Sequence, residues 1–380
     1  MTSITTKCPV TIVTGFLGSG KTTLLARVLA EPSMGNVAVL VNEFGKVGLD
    51  HHLLRQINER TILLGNGCAC CTIRDDLVKT LLDLFAMDER RDIPRLERVI
   101  IETSGLADPA PILYTILADP VLQHHFWIDR IITTVDAING HFHLDRHPES
   151  LKQVAIADNI IVTKTDIASG QEVDDLMARL HTLNPSAHIV KAAFGNVDIA
   201  MLFSAVQYPQ TDRRNEEYLM PPLTPADGDH STRETSNKSS GFALGKRLSD
   251  EQDADGPSTF RSKPPGEESH IANIYSLSLT FHEPLDWRAF GLWLSMLLHA
   301  RGEDVLRVKG LLNVGEEGPV VLNGVQHIIH PPQHLDGWPG EDHSSQITFI
   351  TRTIEPQAIL NSLRVFQHVL AISDADSKAR

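Results

Sequence analysis

Short apolar segments alternate with amphipathic segments over the first half of the chain. The apolar segments are hydrophobic almost throughout, rather than at every second position, which is typical of parallel strands covered on both faces. They are Pro9–Thr14, Val37–Val41, Thr61–Leu64, Arg98–Glu102, Arg130–Val135, Asn159–Thr163 and Ala187–Val190. Helical periodicity lies between them, as in Lys21–Ala30, Asp75–Phe85 and Gln171–Leu183. The alternation predicts an α/β domain with a doubly wound, mainly parallel sheet over residues 1–208.

A polar segment over residues 209–270 interrupts this pattern. Pro, Ser, Asp and Glu dominate it, and its few apolar residues follow no period, so we expect a disordered linker or insertion. The pattern then returns with strand-like Ile274–Phe281, Val305–Val314, Val320–His330 and Gln346–Thr353, and with helical Leu285–Ala300 and Pro356–Val369. These elements predict a small α+β domain over residues 271–372, followed by a tail at 373–380.

A glycine-rich loop joins the first predicted strand to the first predicted helix. It reads Gly-x-x-x-x-Gly-Lys-Thr from Gly15 to Thr22, the pattern of a P-loop. In such loops backbone N–H groups surround the phosphates, the lysine reaches the β- and γ-phosphates, and the hydroxyl binds Mg²⁺. The start of the helix adds a favourable field for anions. The predicted nucleotide-binding residues here are Gly15, Gly18, Ser19, Gly20, Lys21, Thr22 and Thr23, of which Lys21 is also catalytic and Thr22 holds Mg²⁺.

The strand that ends at Glu102 supplies a second element of such a site. Thr-Ser and then Gly105 follow the acid. In P-loop proteins an acid at this position supports Mg²⁺ or the attacking water, and a nearby glycine amide contacts the γ-phosphate. Glu102 and Gly105 are therefore candidate catalytic residues. A carboxylate that only caps the strand is the alternative.

A third strand ends in Thr163-Lys164-Thr165-Asp166, which is similar to the guanine-reading signature of GTP-binding proteins. In that signature the carboxylate accepts hydrogen bonds from guanine N1 and N2, and the lysine stem covers the base. Adenine has a lone pair at N1 and no 2-amino group, so the carboxylate disfavours ATP. We predict GTP as the nucleotide, bound through Thr163, Lys164 and Asp166.

Three of the four cysteines, Cys68, Cys70 and Cys71, lie within four positions of a glycine-containing segment. They are too close together for a disulfide framework, and such a cluster indicates reduced thiols with a metal or redox role. Thiolates suit Zn²⁺ or Co²⁺. A set of small buried hydrophobic residues and a redox role stay open as alternatives. We interpret the grouped histidines as solvated surface residues rather than ligands: His51/His52, His124/His125, His141/His143/His147 and His327/His330/His334.

The overall charge and hydropathy narrow the class of protein. The 380 residues carry a formal net charge of −14, which argues against nucleic acid as a partner. No segment approaches the roughly 18 consecutive apolar residues of a membrane span. The first residues lack the pattern of a signal peptide. We therefore expect a cytoplasmic protein with no membrane partner.

The order of these motifs resembles the CobW-type GTPases, a metallochaperone family within the dimerising P-loop GTPases, and in particular its bacterial YjiA-like branch. The matching segments are Thr-Gly-Phe-Leu-Gly-Ser-Gly-Lys-Thr-Thr (14–23), Val-Asn-Glu-Phe-Gly (41–45), Asn-Gly-Cys-Ala-Cys-Cys (66–71), Glu-Thr-Ser-Gly (102–105) and Thr-Lys-Thr-Asp (163–166). The likeness extends to the C-terminal region through Leu-Arg-Val-Lys-Gly (306–310) and Val-Val-Leu-Asn-Gly-Val-Gln (320–326).

The resemblance implies further roles for individual residues. It places Arg74 close to the nucleotide, and Glu43 near the γ-phosphate and the metal. It assigns the transition-metal site to Cys68, Cys70, Cys71 and Glu43. Two departures are visible: Lys46 stands where many relatives have Glu, and the linker has only His230 and His270, so metal storage there is not expected.

The leading hypothesis is a GTP-dependent metallochaperone. GTP and Mg²⁺ would assemble the cysteine site, and hydrolysis would release Zn²⁺ (or Co²⁺) to an unidentified apo-metalloprotein client. The resemblance leaves a nucleotide-dependent homodimer open. One alternative is a regulatory GTPase whose cysteines sense zinc or redox state. Another is a metabolite kinase, against which the guanine-reading signature argues.

Overall fold

The computed structural model describes residues 7–42, 61–65, 73–194, 196–203, 218–219 and 274–366. Contacts group the described parts of the N- and C-terminal regions into one compact unit. None of the helices within these ranges is long and apolar enough to cross a membrane.

A parallel sheet of seven strands forms the N-terminal half of this unit. Its strands are β1 (Cys8–Gly15), β2 (Val37–Asn42), β3 (Thr61–Gly65), β4 (Arg98–Thr103), β5 (Phe126–Asp136), β6 (Asn159–Thr163) and β7 (His188–Lys191). They are arranged in the order β3-β2-β4-β1-β5-β6-β7. The predicted parallel α/β sheet is therefore confirmed. Because β1 is central and the strands are parallel, the P-loop, Glu102 and Thr163 all lie at the same carboxyl edge.

Helices pack on both faces of this sheet, so its inner strands β1, β4, β5 and β6 are largely buried. The described helices are α1 (Lys21–Ala30), α2 (Ile73–Glu89), α3 (Ala110–Ala118), α4 (Pro120–His125), α5 (Gly140–Arg146), α6 (Pro148–Ala155), α7 (Gly170–Leu183) and α8 (Ile199–Phe203). One buried cluster joins β1 and β4 to α2 and α3, and a second joins β2 and β5 to α1. This two-layered core is the reason for the continuous apolar segments in the sequence.

One strand begins earlier than its hydrophobic pattern predicts. We placed the start of β5 at Arg130, whereas the strand begins at Phe126. Asp129 breaks the apolar pattern, but it is buried and forms ion pairs with Arg98 and with Arg130. Paired charges can be buried within a strand, and a pattern based on single residues does not reveal the pairing.

The C-terminal region contains a second sheet. Its strands are β8 (Tyr218–Leu219), β9 (Ile274–Phe281), β10 (Val305–Leu312), β11 (Val320–Val325), β12 (Ile328–Ile329), β13 (Gln333–His334) and β14 (Ser345–Arg352). The order is β12-β11-β10-β14-β9-β8, with β13 on β11, and the pairs are antiparallel except for β8 with β9. The segment that we predicted as one strand, Val320–His330, turns at Gln326 and forms a hairpin. The helices α9 (Trp287–Arg301) and α10 (356–366) complete the predicted α+β domain.

The sheet corrects the linker prediction at two residues. Tyr218–Leu219, inside the predicted linker of 209–270, forms β8 and pairs with Leu279 and Thr280 of β9. Sheet pairing is a tertiary interaction, so the local composition did not reveal it. The rest of the predicted linker and the tail at 373–380 lie outside the described residues.

A buried charge cluster lies where the C-terminal sheet meets the N-terminal half. Asp158, just before β6, pairs with Arg307 and, at 3.1 Å, with Lys309, both on β10. Asp158 also accepts a hydrogen bond from the backbone N–H of Ile131 at 2.9 Å. Burial alone would raise the pKa of Asp158, but the two cations outweigh it and lower this pKa to about 2. The carboxylate is therefore charged and shared between both halves.

Candidate nucleotide site

The P-loop has a backbone conformation that requires glycine. Gly15, Gly18 and Gly20 have φ values of 138°, 71° and 93°, in the region that favours glycine. A Cβ atom on Gly15 would lie 2.4 Å from the carbonyl oxygen of Thr134 on β5. The loop is therefore pressed against the neighbouring strand, and α1 begins directly after it at Lys21.

Side chains of the loop hold it in this conformation. Lys21 Nζ donates to the carbonyl oxygens of Gly15 at 2.8 Å and of Phe16 at 3.2 Å. The buried hydroxyls of Ser19 and Thr134 are 2.6 Å apart. The ammonium group of Lys21 thus lies inside the loop that is predicted to receive the phosphates. Thr23 is exposed at the start of α1.

Thr22 and Glu102 meet at the start of α1. The pairing of β1 with β4 aligns Val13 with Glu102, which places the acid beside the P-loop. The Thr22 hydroxyl donates to Glu102 Oε1 at 3.3 Å, and Glu102 is only 6% exposed. Two oxygen ligands in a largely buried position fit the hard-oxygen preference of Mg²⁺. The predicted partners of Mg²⁺ are therefore adjacent, although they are 80 positions apart in sequence.

Gly105 is in close contact with the P-loop. A Cβ atom here would lie 2.6 Å from the backbone nitrogen of Leu17. Gln153 of α6, which is 1% exposed, donates through Nε2 to the carbonyl oxygens of Gly105 at 3.2 Å and Ala107 at 3.0 Å. The loop after β4 is therefore held between the P-loop and α6.

The guanine-reading signature connects directly to the P-loop. The hydroxyl of Thr163 donates to the carbonyl oxygen of Ser19 at 2.7 Å. Lys164 has φ 59°, and its Nζ forms an ion pair of 2.6 Å with Asp136 at the end of β5. Burial works against the charge of Asp136, but hydrogen bonds from Lys164, Asn139 and Ile138 outweigh it and lower its pKa. The ammonium group of Lys164 is thereby held at the end of β5.

Asp166 lies at the outer end of this edge. Its Oδ1 accepts a hydrogen bond from the backbone N–H of Phe194 at 3.0 Å. Phe194 is in the turn that follows β7. The carboxylate is thus oriented by a backbone group from the neighbouring strand's loop, next to Lys164.

The sequence motifs did not identify four of the residues that shape this edge. They are Thr134 and Asp136 of β5, Gln153 of α6 and Phe194. Asp136 carried a detectable signal, since it is a polar residue at the end of an apolar strand. The other three act through contacts between distant elements, and no local pattern marks them.

The predicted metal ligands cannot be placed. Glu43, Cys68, Cys70 and Cys71 lie outside the described residues, as does the side chain of Arg74. Within the described ranges, no group of three or more His, Cys, Asp or Glu side chains could hold a metal ion. The remaining cysteine, Cys8, is a free thiol, and burial raises its pKa to about 12, which makes it a poor thiolate ligand.

Among the grouped histidines in the described ranges, His124, His327 and His334 are exposed as expected, whereas four others are packed against neighbours or buried. His143 and His147 of α5 pack on Phe16 of the P-loop, with ring centroids at 4.5 and 4.4 Å. His125 stacks on Phe85. His330 is 9% exposed, and burial lowers its pKa to about 4. Aromatic packing accounts for most of these positions, and hydrophobic periodicity does not report it for histidine.

Both the N-terminal and the C-terminal half of the chain match models of known protein families. Residues 9–191 match the model of the CobW/HypB/UreG nucleotide-binding domain. Residues 274–367 match the model of the cobalamin synthesis protein CobW C-terminal domain. The first model spans the strands of the parallel sheet from Pro9 onward, and the second spans the C-terminal sheet except for β8.

Curated relatives match parts of the chain. It is 37% identical over 195 residues to the zinc chaperone YjiA of Escherichia coli, a match covering 51% of this chain and 60% of YjiA. It is 33% identical over 218 residues to zinc-regulated GTPase metalloprotein activator 1 of Schizosaccharomyces pombe, covering 55% of this chain and 52% of that protein. The protein of the same name from Saccharomyces cerevisiae is 28% identical over 391 residues, a match covering 94% of this chain and 83% of that protein. The chain thus spans little more than half the length of the first two.

A solved structure shares the whole fold. The crystal structure of Zn(II)-bound YjiA GTPase from Escherichia coli aligns with a TM-score of 0.62 and 24% identity. The alignment covers 95% of this chain and 99% of that chain. The likeness extends over the arrangement of both sheets.

Proposed function

The chain belongs to the CobW family of P-loop nucleotide-binding proteins, and on that premise we propose that it is a GTP-hydrolysing metallochaperone. The observation that carries the proposal is the meeting of the P-loop, the acid-ended strand and the guanine-reading signature at one sheet edge. There Thr22 contacts Glu102 at 3.3 Å, and Thr163 contacts Ser19 at 2.7 Å. The names of the relatives as zinc chaperones and zinc-regulated GTPases support it.

The chain's own residues account for phosphate binding. Backbone N–H groups of the P-loop and the start of α1 receive the phosphates, and Lys21 brings a positive charge to them. Thr22 and Glu102 would hold Mg²⁺, which neutralises phosphate charge as the terminal phosphoanhydride bond breaks. The backbone of Gly105, held by Gln153, contacts the γ-phosphate and so distinguishes GTP from GDP.

The metal ion is the cargo in this proposal. Cys68, Cys70, Cys71 and Glu43 form its site, with Zn²⁺ as the expected ion and Co²⁺ as a close substitute in tetrahedral thiolate coordination. GTP assembles the site and hydrolysis opens it, so that the ion passes to an apo-metalloprotein client. Nucleotide and metal must then strengthen each other's binding, because linkage is reciprocal.

The nucleotide half of the proposal is tested by Lys21→Ala. Loss of the ammonium group from the P-loop should remove most GTP affinity and nearly all hydrolysis, while the circular dichroism spectrum shows that the fold is retained. Isothermal calorimetry and phosphate release measure both effects. Lys79→Ala, which removes an exposed lysine from α2, is the matched control. A normal GTP dissociation constant for Lys21→Ala would contradict the assignment.

The metal half is tested by Co²⁺ titration of the native protein with a GTP analogue, with GDP and without nucleotide. Thiolate ligation gives charge-transfer and d–d absorption, and we expect at least about tenfold tighter binding with the analogue. The double variant Cys70→Ser/Cys71→Ser should lose this tightening and keep GTP affinity within severalfold. Cys8→Ser is the control, because Cys8 begins β1, at the end of that strand opposite the P-loop.

Two results would redirect the proposal. Equal Co²⁺ affinity in all three nucleotide states would contradict the proposal that the protein carries a metal ion and releases it on hydrolysis. Metal that stays bound after hydrolysis in the presence of a competing apo-protein favours the sensor alternative instead.

A further inference from the structure

Two apolar side chains beside Asp166 are almost unpacked. Phe194 is 73% exposed and Ile167 is 65% exposed, the two highest values among the large hydrophobic side chains of the described ranges. Ile167 directly follows Asp166 in the chain. The backbone N–H of Phe194 donates a hydrogen bond of 3.0 Å to the Asp166 carboxylate. Single exposed hydrophobic residues are ordinary on protein surfaces. Here, however, one of the two most exposed residues is the chain neighbour of Asp166, and the other donates a backbone hydrogen bond to the carboxylate predicted to read the base.

Two backbone hydrogen bonds flank Phe194. Ala192 donates to the carbonyl oxygen of Val162 at 2.8 Å, which continues the sheet pairing of β7 with β6. Asn196 then donates to the carbonyl oxygen of Ala193 at 2.8 Å and closes the turn. Phe194 has φ 53°, a left-handed conformation that is unfavourable for an aromatic residue. The chain therefore accepts backbone strain at a position where the ring gains little burial, a combination found most often at ligand sites.

Lys164 lies at the same sheet edge, two positions before Asp166. Its φ is 59°, and its ammonium group is tied to Asp136 at 2.6 Å. The ammonium end is therefore anchored, while the side chain as a whole stays 36% exposed. The stem of such a lysine can cover one face of a planar base while its charge stays paired.

We propose that Phe194 is a base-stacking residue, whose ring covers the face of guanine opposite the Lys164 stem while Asp166 binds the edge of the base. This inference rests on the proposed binding of GTP and adds a residue that determines affinity. Every nucleobase has an aromatic face, so stacking strengthens binding without selecting among bases. Asp166 then determines the choice of base and Phe194 the strength with which it is held.

Substitution of Phe194 tests the stacking contact. Phe194→Ala and Phe194→Asn keep the backbone N–H group that donates a hydrogen bond to Asp166, and Asn tolerates the left-handed φ. Both should lose between about fivefold and hundredfold in affinity for GTP and GDP alike. Affinity for inorganic triphosphate should not change. In turnover, KM should rise with kcat unchanged, because the base contact is the same in the ground and transition states. Phe194→Tyr should remain within about twofold of the native protein, and Leu292→Ala, an exposed apolar change on α9, is the control.

A spectroscopic variant reports the contact directly. Guanine stacked on an indole quenches its fluorescence, so Phe194→Trp should lose emission on adding GDP and keep it on adding triphosphate. Asp166→Asn should behave differently from every Phe194 variant, since it should weaken GTP more than ATP. This contrast separates affinity from base choice.

The possible outcomes are distinguishable. If the native protein does not bind GTP, the proposed function fails and this inference with it. If the native protein binds GTP and Phe194→Ala binds it equally well, only the stacking role is overturned. If triphosphate affinity falls in parallel with GTP affinity, Phe194 supports the loop rather than the base, which also overturns the inference.

Discussion

At the scale of single residues, the site depends on places where a side chain would not fit. Gly105 is the sharpest of them, because its backbone approaches that of Leu17 in the P-loop. A backbone atom cannot move aside as a flexible side chain can. The spacing between the loop after β4 and the phosphate site is therefore set by the absence of one Cβ atom.

Gly105→Ala should strongly reduce GTP turnover. The added Cβ would lie 2.6 Å from Leu17 N and 2.8 Å from Leu17 Cα, so either the P-loop or the loop after β4 must move. We expect kcat to fall at least about tenfold, since small displacements of positioning groups are costly. Gly170→Ala is the matched control, because a Cβ there has nothing within 4 Å. Equal turnover rates for the two variants would contradict the positioning role of Gly105.

At the scale of secondary-structure elements, α6 connects the site to the C-terminal domain. Its Gln153 holds the loop after β4, and its Lys152 pairs with Asp108 at 3.2 Å. Asp108 also accepts a hydrogen bond from Gln326 at 3.4 Å, at the turn between β11 and β12. Residues 105–108 thus contact the P-loop, α6 and the C-terminal sheet.

Gln153→Leu should impair both stability and turnover. The substitution keeps a similar volume but leaves the carbonyl oxygens of Gly105 and Ala107 without the Gln153 amide. An unpaired buried polar group costs about 1–3 kcal/mol. Urea unfolding should show a loss of this size, and kcat should fall because the loop beside the P-loop is less fixed. Gln171→Leu, an exposed position on α7, should change neither quantity.

Elements with a local signal were predictable from the sequence, whereas contacts between elements were not. The limits of α1, β6 and β9 agree with prediction, because the pattern of hydrophobic residues and the adjoining turn residues mark where these elements begin and end. β8 was missed because its two residues are a strand only through pairing with β9. The P-loop, Glu102 and the Thr163–Asp166 segment were selected from sequence spacing, and the structure brings them to one sheet edge, while their roles stay predictions. Gln153 and Phe194 were not, because their partners are 48 and 28 positions away.

At the scale of the whole molecule, acid should weaken the fold through His330. Burial lowers its pKa from 6.5 to about 4, so the unfolded chain binds the proton more readily than the folded chain. The sign follows from linkage: stability is complete above about pH 6.5 and declines as pH falls towards 4. The full effect is about 3 kcal/mol, from about 1.4 kcal/mol per unit of pKa.

The measurement is urea unfolding at several pH values. Between pH 6.5 and 4 the native protein should lose more stability than His330→Asn, which cannot take up that proton. His334→Asn, at an exposed position on β13, should follow the native curve. A parallel pH dependence for the native protein and His330→Asn would contradict the assignment.

The shared carboxylate of Asp158 has a consequence for how the two domains are inherited. Its partners, Arg307 and Lys309, lie 149 and 151 positions further along the chain and belong to a different domain. A recombination event that replaced the C-terminal domain by one without these cations would leave a buried carboxylate unpaired, which typically costs about 3–5 kcal/mol. Exchange between related genes therefore succeeds only when the two cations accompany the acid. We therefore expect Asp158 of the first domain and the two cations of the second to be inherited together.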